Sequence, residues 1–482
     1  MSGARNPIVF VHGYSDQGKS WEKWCGLLKA RLGYVDPELH VCSYVSLDNG
    51  VSIKDIAEAF DGALSARAGL DGPFDAIVHS TGMLVVRAWL AADPQRCARL
   101  KRLVAFAPAT FGSPLAKEGR SWLGAIFKGN KEIGPDFLEA GDRILLELEL
   151  ASQFTWRLAE QDFFATPPRY DNGPDTPWVF VFCGTGEYRG LREIVNKPGT
   201  DGTVRRAGCG MNVRMIELDL TQSGVIARRR DPALAASAEI AQRDRVVADK
   251  WLNVGIPVHL VGDPAAGENV DHASILSNPP AELVDLVVDA LTMTEAATAP
   301  GGDPAAGYRD WLAKADAAAR FRRLDPQYQQ FIVHAVDERG DPVSDYHLQL
   351  FRVAATATQI EAFDADVAVY SGDASYRCFH VDIAKLVAPP GGNPPGLVIR
   401  LIASSGTPYV AYLGYGYEAD QTDPGAWDAS LEFDATALAT AEFFRPYTTT
   451  LIRLYIERQV VTSDRVKPPD LLSWDPSAPP MV

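Results

Sequence analysis

The sequence predicts a doubly wound, mostly parallel α/β sheet with a helical insertion, followed by an all-β sandwich or barrel. Short apolar runs alternate with helical apolar spacing over the first 110 residues, and the alternation resumes after a helix-rich stretch at 111–170. From about residue 328 only short strand-like runs remain, separated by turn signals. Alternating strands and helices favour a parallel sheet, and successive short strands favour a sandwich or barrel.

The first half of the chain carries the alternating elements. Predicted strands are Pro7–Val11, His40–Val45, Phe74–Val78, Leu103–Phe106, Trp178–Phe182, Arg214–Leu220 and Pro257–Val261. Predicted helices are Trp21–Arg31, Ile53–Arg67, Met83–Ala91 and Ala281–Met293. We therefore expect one α/β catalytic domain over residues 1–300.

Residues 111–170 interrupt this order with more apolar helical material than a crossover requires. Trp122, Phe127 and Trp156 stand out within it. The segment predicts a cap or lid over a substrate pocket, with these three residues contacting an apolar substrate. The alternative is a pair of helices that simply pack on the sheet.

The second half begins after a stretch rich in Ala, Pro and Gly at 294–308, which is typical of a linker. We expect a linker and short helix over 301–327 and a β-sandwich accessory domain over 328–482. Its predicted strands are Phe331–Val336, Tyr346–Val353, Val367–Tyr370, Phe379–Ile383, Leu397–Ile402, Pro408–Gly414, Ser430–Phe433 and Thr448–Gln459.

Composition excludes several functional classes. The chain has 482 residues, 46% of them hydrophobic, and a net charge of −16. Such an acidic chain does not attract nucleic acid phosphates or an anionic membrane surface. No apolar run is long enough to span a membrane, and Ile8–Val11 is too short for a signal-peptide core. These features predict a cytoplasmic protein, with unconventional export as the alternative, and leave the oligomeric state open.

The cysteines do not indicate a metal or a disulfide framework. Six cysteines are spread singly along the chain, and most have apolar neighbours. Isolated cysteines of this kind are typical of buried, reduced thiols. No spacing of Cys and His predicts a metal site, and no motif predicts a cofactor.

Ser80 is the sharpest chemical feature. It follows the predicted strand Phe74–Val78 and is followed by Thr81 and Gly82 at the start of a predicted helix. A serine at a tight strand-to-helix turn exposes its hydroxyl above a helix start, and the next amide, that of Thr81, then faces a developing oxyanion. Val78 stands where the G-x-S-x-G pattern has glycine. Ser-x-Gly alone is also typical of a structural turn.

An oxyanion hole needs a second donor from a loop after an earlier strand. The run Val11-His12-Gly13-Tyr14 provides one in the right chain order. Gly13 permits a sharp turn, and the amide of Tyr14 is the expected donor. The alternative for His12-Gly13 is an ordinary turn at a strand end.

A serine nucleophile needs a histidine base oriented by a carboxylate, and the chain order serine, acid, histidine narrows the choice. Of the eight histidines, His259 and His272 follow Ser80 and precede the predicted β region. His259 lies within a predicted strand, whereas His272 lies in the loop after the last sheet strand. We expect His272 to be the base.

The acid is expected in the turn Gly199-Thr200-Asp201-Gly202, which follows a sheet strand. Asp201 can reach from this turn toward the histidine, although Asp-Gly is also a common plain turn. Asp219 and Asp263 are the other candidates. Asp271, next to His272, is expected to cap a turn.

These motifs together, HGY, VHSTG, GTDGTV and DHASIL, resemble the lipase and esterase branch of the α/β-hydrolase superfamily, close to bacterial triacylglycerol-lipase-like hydrolases. The resemblance covers roughly residues 5–290. It implies an α/β-hydrolase fold with Ser80 as nucleophile, Asp201 as acid, His272 as base, and Tyr14 and Thr81 as oxyanion donors.

The expected function is hydrolysis of carboxylic esters through a Ser-His-Asp triad and an acyl-enzyme intermediate, without a metal or cofactor. The expected substrate is an ester or lipid with an apolar acyl group. A phospholipase, thioesterase or acyltransferase with the same triad is the nearest alternative. A hydrolase-like scaffold that only binds a partner belongs to a different class of function.

Overall fold

A computed structural model of the protein describes residues 5–14, 18–118, 141–171, 175–237, 239–252, 255–293, 305–318, 327–353, 360–363, 365–387, 396–407, 409–415, 426–434 and 443–460. Within these ranges, no helix combines the length and apolar character needed to cross a bilayer.

The strands of the described ranges form three sheets. In chain order they are β1 (Ile8–Val11), β2 (Leu39–Cys42), β3 (Phe74–His79), β4 (Leu100–Phe106), β5 (Trp178–Gly184), β6 (Val213–Asp219), β7 (Val246–Trp251), β8 (Val258–Val261), β9 (Tyr328–Asp337), β10 (Tyr346–Val353), β11 (Ile360–Phe363), β12 (Asp366–Val369), β13 (Tyr376–Asp382), β14 (Gly396–Ser404), β15 (Val410–Leu413), β16 (Ala426–Asp434) and β17 (Thr449–Val460).

Apart from the short last helix, the described helices lie in the first two thirds of the chain. They are α1 (Glu22–Leu32), α2 (Ile53–Ala66), α3 (Gly82–Ala92), α4 (Leu115–Glu118), α5 (Asp142–Leu148), α6 (Gln153–Asp162), α7 (Val225–Arg230), α8 (Ser274–Ser277), α9 (Ala281–Thr292), α10 (Ala306–Ala318) and α11 (Ile383–Val387).

The first sheet has six parallel strands in the order β2-β1-β3-β4-β5-β8. Every residue of β1, β3 and β5 is buried, as expected for a parallel sheet covered on both faces. Alternate residues face opposite cores: Ile8 and Phe10 pack with α1, α9 and α10, whereas Val9 and Val11 pack with α2 and α3. The predicted doubly wound sheet is confirmed.

The second, larger sheet joins two distant parts of the chain. Its order is β12-β13-β9-β17-β6-β7, with β15 paired to β17. The sequence places β6 and β7 among the elements of the first sheet, but the last strand, β17, lies between β6 and β9 and runs parallel to both. The expected boundary near residue 300 therefore does not coincide with a boundary between sheets.

The large sheet packs against a hydrophobic core on each of its two faces. Ile332 of β9 and Leu451 of β17 pack on the side of the parallel sheet. Their neighbours Val333 and Ile452 pack on the opposite side, toward the third sheet. That third sheet is antiparallel, in the order β11-β10-β14-β16. The predicted C-terminal sandwich of β-sheets is therefore confirmed, but one of its two sheets also takes in β6 and β7 from before residue 300.

The described part of the predicted cap contains α4, α5 and α6 and contacts the large sheet directly. Glu149 accepts hydrogen bonds from the backbone and hydroxyl of Ser371 at 2.9 and 2.5 Å. Glu160 accepts from Arg453 of β17 at 2.5 Å. These contacts anchor the segment after residue 141 to the C-terminal strands.

Candidate active site

Ser80 lies in a strained turn between β3 and α3. Its φ is 52°, in the left-handed region that residues with side chains rarely adopt. Close packing sustains this turn, because a Cβ on Gly82 would lie 2.5 Å from the carbonyl oxygen of Val11, and one on Gly13 would lie 2.9 Å from the Cβ of Ser80. Val78, where the pattern has glycine, is buried beside Val11 and Ala105.

Asp201 and His272 meet at the carboxyl edge of the parallel sheet. Nδ1 of His272 is 2.9 Å from Oδ2 of Asp201, and both side chains are fully buried. The backbone amide of His272 also donates to the carbonyl of Asp201 at 3.0 Å. The carboxylate therefore orients the imidazole and selects the tautomer that leaves Nε2 as a base.

The Asp201 turn keeps this carboxylate ionised. Oδ1 accepts the amides of Thr203 and Val204 at 3.0 and 2.9 Å, and the thiol of Cys183 lies 3.8 Å from Oδ2. Burial alone raises the pKa of Asp201, but the facing imidazole of His272 and these amide hydrogen bonds outweigh it, so the net pKa is lowered.

His79 links the base loop to the serine turn. Its Nε2 donates to the carbonyl oxygen of His272 at 3.0 Å, and the two rings lie 4.6 Å apart. Burial, with a smaller effect of His272, lowers the pKa of His79 to about 3, so this ring is neutral near pH 7. Sequence reasoning missed this role, although the position next to Ser80 was a signal for it.

The two predicted oxyanion donors, Thr81 and Tyr14, lie in two different segments, one in the serine turn and one after β1. Thr81 is buried and precedes α3, and its amide shares the helix N-terminus that favours negative charge. Tyr14 is also buried and follows β1. Burial, with a smaller effect of Asp142, raises the pKa of Tyr14 to about 12, so its phenol stays neutral.

His12 orients the peptide that carries the Tyr14 amide. Its Nε2 accepts the backbone amide of Tyr44 at 3.1 Å, so the proton is on Nδ1, which donates to the carbonyl of Gly13 at 2.6 Å. In a trans peptide the C=O and the next N–H point in opposite directions. Holding the Gly13 carbonyl therefore aims the Tyr14 amide the other way. The HG dipeptide signalled a turn, but not this tautomer.

The alternative candidates have structural contacts. His259 packs within β8 against Trp311, with ring centroids 4.8 Å apart. Asp219 accepts the amides of Thr221 and Ala227 at 3.0 and 2.7 Å, at the far end of β6. Asp271 accepts the amides of Ala273 and Ser274 at 3.1 and 2.8 Å, which is the turn-capping arrangement expected for it.

Trp156 is the one predicted substrate-contacting residue for which the structure gives a position. It is buried in α6 and packs edge-on against His334 and Tyr376 of the large sheet, with centroids 5.5 and 5.7 Å away. These contacts are with the C-terminal strands, and its role toward a substrate stays a prediction. Trp122 and Phe127 lie outside the described residues.

No group of three or more His, Cys, Asp or Glu side chains in the described ranges is arranged to hold a metal ion. The arrangement of Asp201, His272 and the Ser80 turn instead supplies an acid-oriented imidazole, a strained serine and a helix N-terminus at one edge of the sheet. These are the components of covalent acyl transfer by a serine.

The parallel sheet and the serine turn between strand and helix define an α/β-hydrolase fold. Phospholipase PlaB from Legionella pneumophila has this fold with a TM-score of 0.69 and 18% identity, over 97% of this chain and 98% of that one. The same phospholipase in complex with thio-NAD has a TM-score of 0.68 and 19% identity, over 97% of each chain. The predicted α/β-hydrolase fold is confirmed.

A shorter likeness involves the mature lipase BlEst2 from Bacillus licheniformis, with a TM-score of 0.32 and 18% identity over 43% of this chain and 80% of that one. No protein-family model matches the sequence, and no curated protein matches it.

Proposed function

We propose that the protein is a serine hydrolase that cleaves carboxylic esters of apolar acyl chains. The observation that carries this proposal is the buried hydrogen bond between His272 and Asp201, at the edge of the sheet where the strained turn presents Ser80. Such a pairing activates a serine hydroxyl, and a purely binding scaffold has no need of it.

The mechanism follows from these groups. His272 accepts the hydroxyl proton at Nε2 as Ser80 Oγ attacks the ester carbonyl carbon. The amides of Tyr14 and Thr81 donate to the oxyanion of the tetrahedral intermediate. His272 then gives the proton to the leaving alcohol as the ester C–O bond breaks. A water molecule, deprotonated by the same imidazole, attacks the acyl-enzyme, and the imidazole returns that proton to Ser80 Oγ as the carboxylic acid leaves.

Labelling with a fluorophosphonate probe tests the nucleophile. We expect the parent protein and the matched control Ser65→Ala, at an α2 serine, to label equally, and Ser80→Ala to remain unlabelled. Labelling of Ser80→Ala at the parental rate contradicts the proposal.

Phospholipid hydrolysis is the second candidate. It is favoured by the likeness to a phospholipase over nearly the full length of both chains, which includes the C-terminal sheets as well as the hydrolase fold. Free fatty acid released from phosphatidylcholine vesicles, from triacylglycerol emulsions and from p-nitrophenyl esters from acetate to palmitate separates the possibilities. Activity on acetate alone excludes both lipid substrates, and release from the emulsion but not from vesicles excludes the phospholipase.

A further inference from the structure

A large apolar cavity lies between the large sheet and the four-stranded sheet. It has a volume of about 290 Å³. Its walls carry branched aliphatic and phenylalanine side chains from both sheets, among them Ile216, Val333, Leu350 and Leu401. An engineered apolar cavity of about 150 Å³ in another protein takes up benzene, and this one is larger. Protein interiors seldom hold empty spaces of this size.

The cavity is separate from the candidate active site. Side chains alternate across the large sheet, so Phe331 and Val333 of β9 line the cavity. The neighbouring residue Gln330 points to the other face of the sheet, toward the turns after Asp201. Its side-chain amide lies close to Gly208 there, at 3.0 Å from where a Cβ on that glycine would be. One sheet thickness thus divides the cavity from the turns that carry the acid.

Part of the cavity lining is polar and reaches solvent. Arg214 and Asp249 line it and form a two-point ion pair, with nitrogen–oxygen distances of 2.8 and 2.6 Å. The Arg214 side chain is 8% exposed and that of Asp249 38% exposed, and another lining residue, Val246, is 43% exposed. Arg214 offers donors and Asp249 offers acceptors, so the pair suits a small uncharged polar group. A ligand carboxylate at this position would be repelled by that of Asp249.

We propose that this cavity binds the unbranched aliphatic chain of a lipid, with an uncharged polar end such as a hydroxyl or ester at Arg214 and Asp249. The volume is about twice that of the engineered cavity that takes up benzene, so it has room for a chain of roughly ten carbon atoms. The space between two packed sheets is a slot, which admits a single chain more readily than a fused ring system.

Isothermal titration of the full-length Ser80→Ala protein with straight-chain alcohols from octanol to hexadecanol tests the proposal. We expect one molecule bound per chain, with the tightest binding near decanol and weaker binding of decanoate. The serine-to-alanine background makes the result independent of the proposed ester hydrolysis, which fluorophosphonate labelling of the parent decides on its own.

Two substitutions on β10 locate the binding. Leu350→Trp fills part of the cavity and is expected to weaken decanol binding by about tenfold or more, since the indole takes the place of about two methylene groups of the chain. His347→Trp, at an exposed position of the same strand, is the matched control and is expected to bind like its parent.

The opposite change keeps the proposal testable if Leu350→Trp does not fold. Leu350→Ala enlarges the cavity and is expected to move the preferred alcohol to a longer chain. Absence of binding by any alcohol, parental affinity in Leu350→Trp, or an unchanged chain-length preference in Leu350→Ala overturns the proposal.

Discussion

Ile452 of β17 is paired in parallel register with Ile216 of β6, 236 positions earlier in the chain. Through this pairing the C-terminal strands share a sheet with residues that precede the candidate base His272. The hydrolase fold and the C-terminal strands are therefore one interlocked structure. The contacts of Glu149 with Ser371 and of Glu160 with Arg453 add to the same connection.

The interlocking predicts that a fragment of residues 1–300 does not fold alone. Removal of β17 leaves one edge of β6 unpaired and exposes the apolar side chains that it covers, such as Met215 and Ile216. We expect the fragment to aggregate in size-exclusion chromatography and to lack esterase activity. Co-expression with residues 301–482 as a second chain is expected to restore a soluble, active complex. A monomeric, fully active 1–300 fragment contradicts the prediction.

The first sheet could be predicted because its strands are short, mostly apolar and separated by helices, a pattern with few alternatives. The sheet membership of β6 could not. The run Val213–Asp219 reads as a strand, but neither its alternation nor its position says which neighbours it pairs with. That choice depends on β17, more than two hundred residues later.

Some residues of the candidate site could likewise be predicted from the sequence, and others could not. Motif and chain order predict Ser80, Asp201 and His272 as candidates, because local turns at strand ends place them. The contributions of His12 and His79 depend on partners, Tyr44 and the His272 carbonyl, that come together only in the folded chain.

Asp201→Asn is expected to lower kcat about 10³–10⁴-fold with a modest change in KM, because the amide favours the wrong imidazole tautomer. Because the pKa of Asp201 is lowered in the folded state, its ionisation stabilises the fold above the unfolded pKa, and this contribution is lost as pH falls through the folded value. Asp271→Asn, at the neighbouring turn cap, is the control and should keep parental kcat. Steady-state kinetics on a soluble ester that show equal kcat for Asp201→Asn and the parent would rule out this acid.

His12→Ala is expected to lower kcat about tenfold to a hundredfold and to leave KM nearly unchanged. The loss is smaller than the ~10²–10³ for deletion of an oxyanion donor, since the Tyr14 amide remains but is less well aimed. His12→Asn, which can still donate to the Gly13 carbonyl, should recover part of the rate. Tyr44→Phe removes the 2.9 Å hydrogen bond to the His12 carbonyl but keeps a ring stacked on the imidazole, and it serves as the control. A loss confined to KM argues against a role in the oxyanion hole.

The Arg87–Asp162 pair joins α3, which follows the serine turn, to α6 of the inserted segment. Both side chains are fully buried, 2.7 Å apart, and burial raises the pKa of Asp162 although Arg87 opposes this. Arg87→Met leaves a buried carboxyl group without its cation and is expected to cost about 3–5 kcal/mol in unfolding free energy. The double variant Arg87→Met/Asp162→Leu should regain at least half of that loss in urea denaturation. A double variant that is less stable than the single one contradicts this account.

The pKa of Asp75 is shifted in the opposite direction from that of Asp201, so its effect on stability has the opposite pH dependence. Burial, only partly offset by Arg102 and Asn6, raises the pKa of Asp75 from 3.8 to about 6. The folded protein therefore retains a proton that the unfolded chain releases, so this group reduces stability as pH rises from 3.8 to 6, and the deficit is constant above that range. Asn resembles the protonated form at every pH. We expect Asp75→Asn to raise the unfolding free energy relative to the parent, with an advantage about 1–1.5 kcal/mol larger at pH 8 than at pH 5. Urea denaturation at the two pH values measures it. An advantage that shrinks between pH 5 and pH 8 means that the ion pair with Arg102 outweighs the burial of the carboxylate.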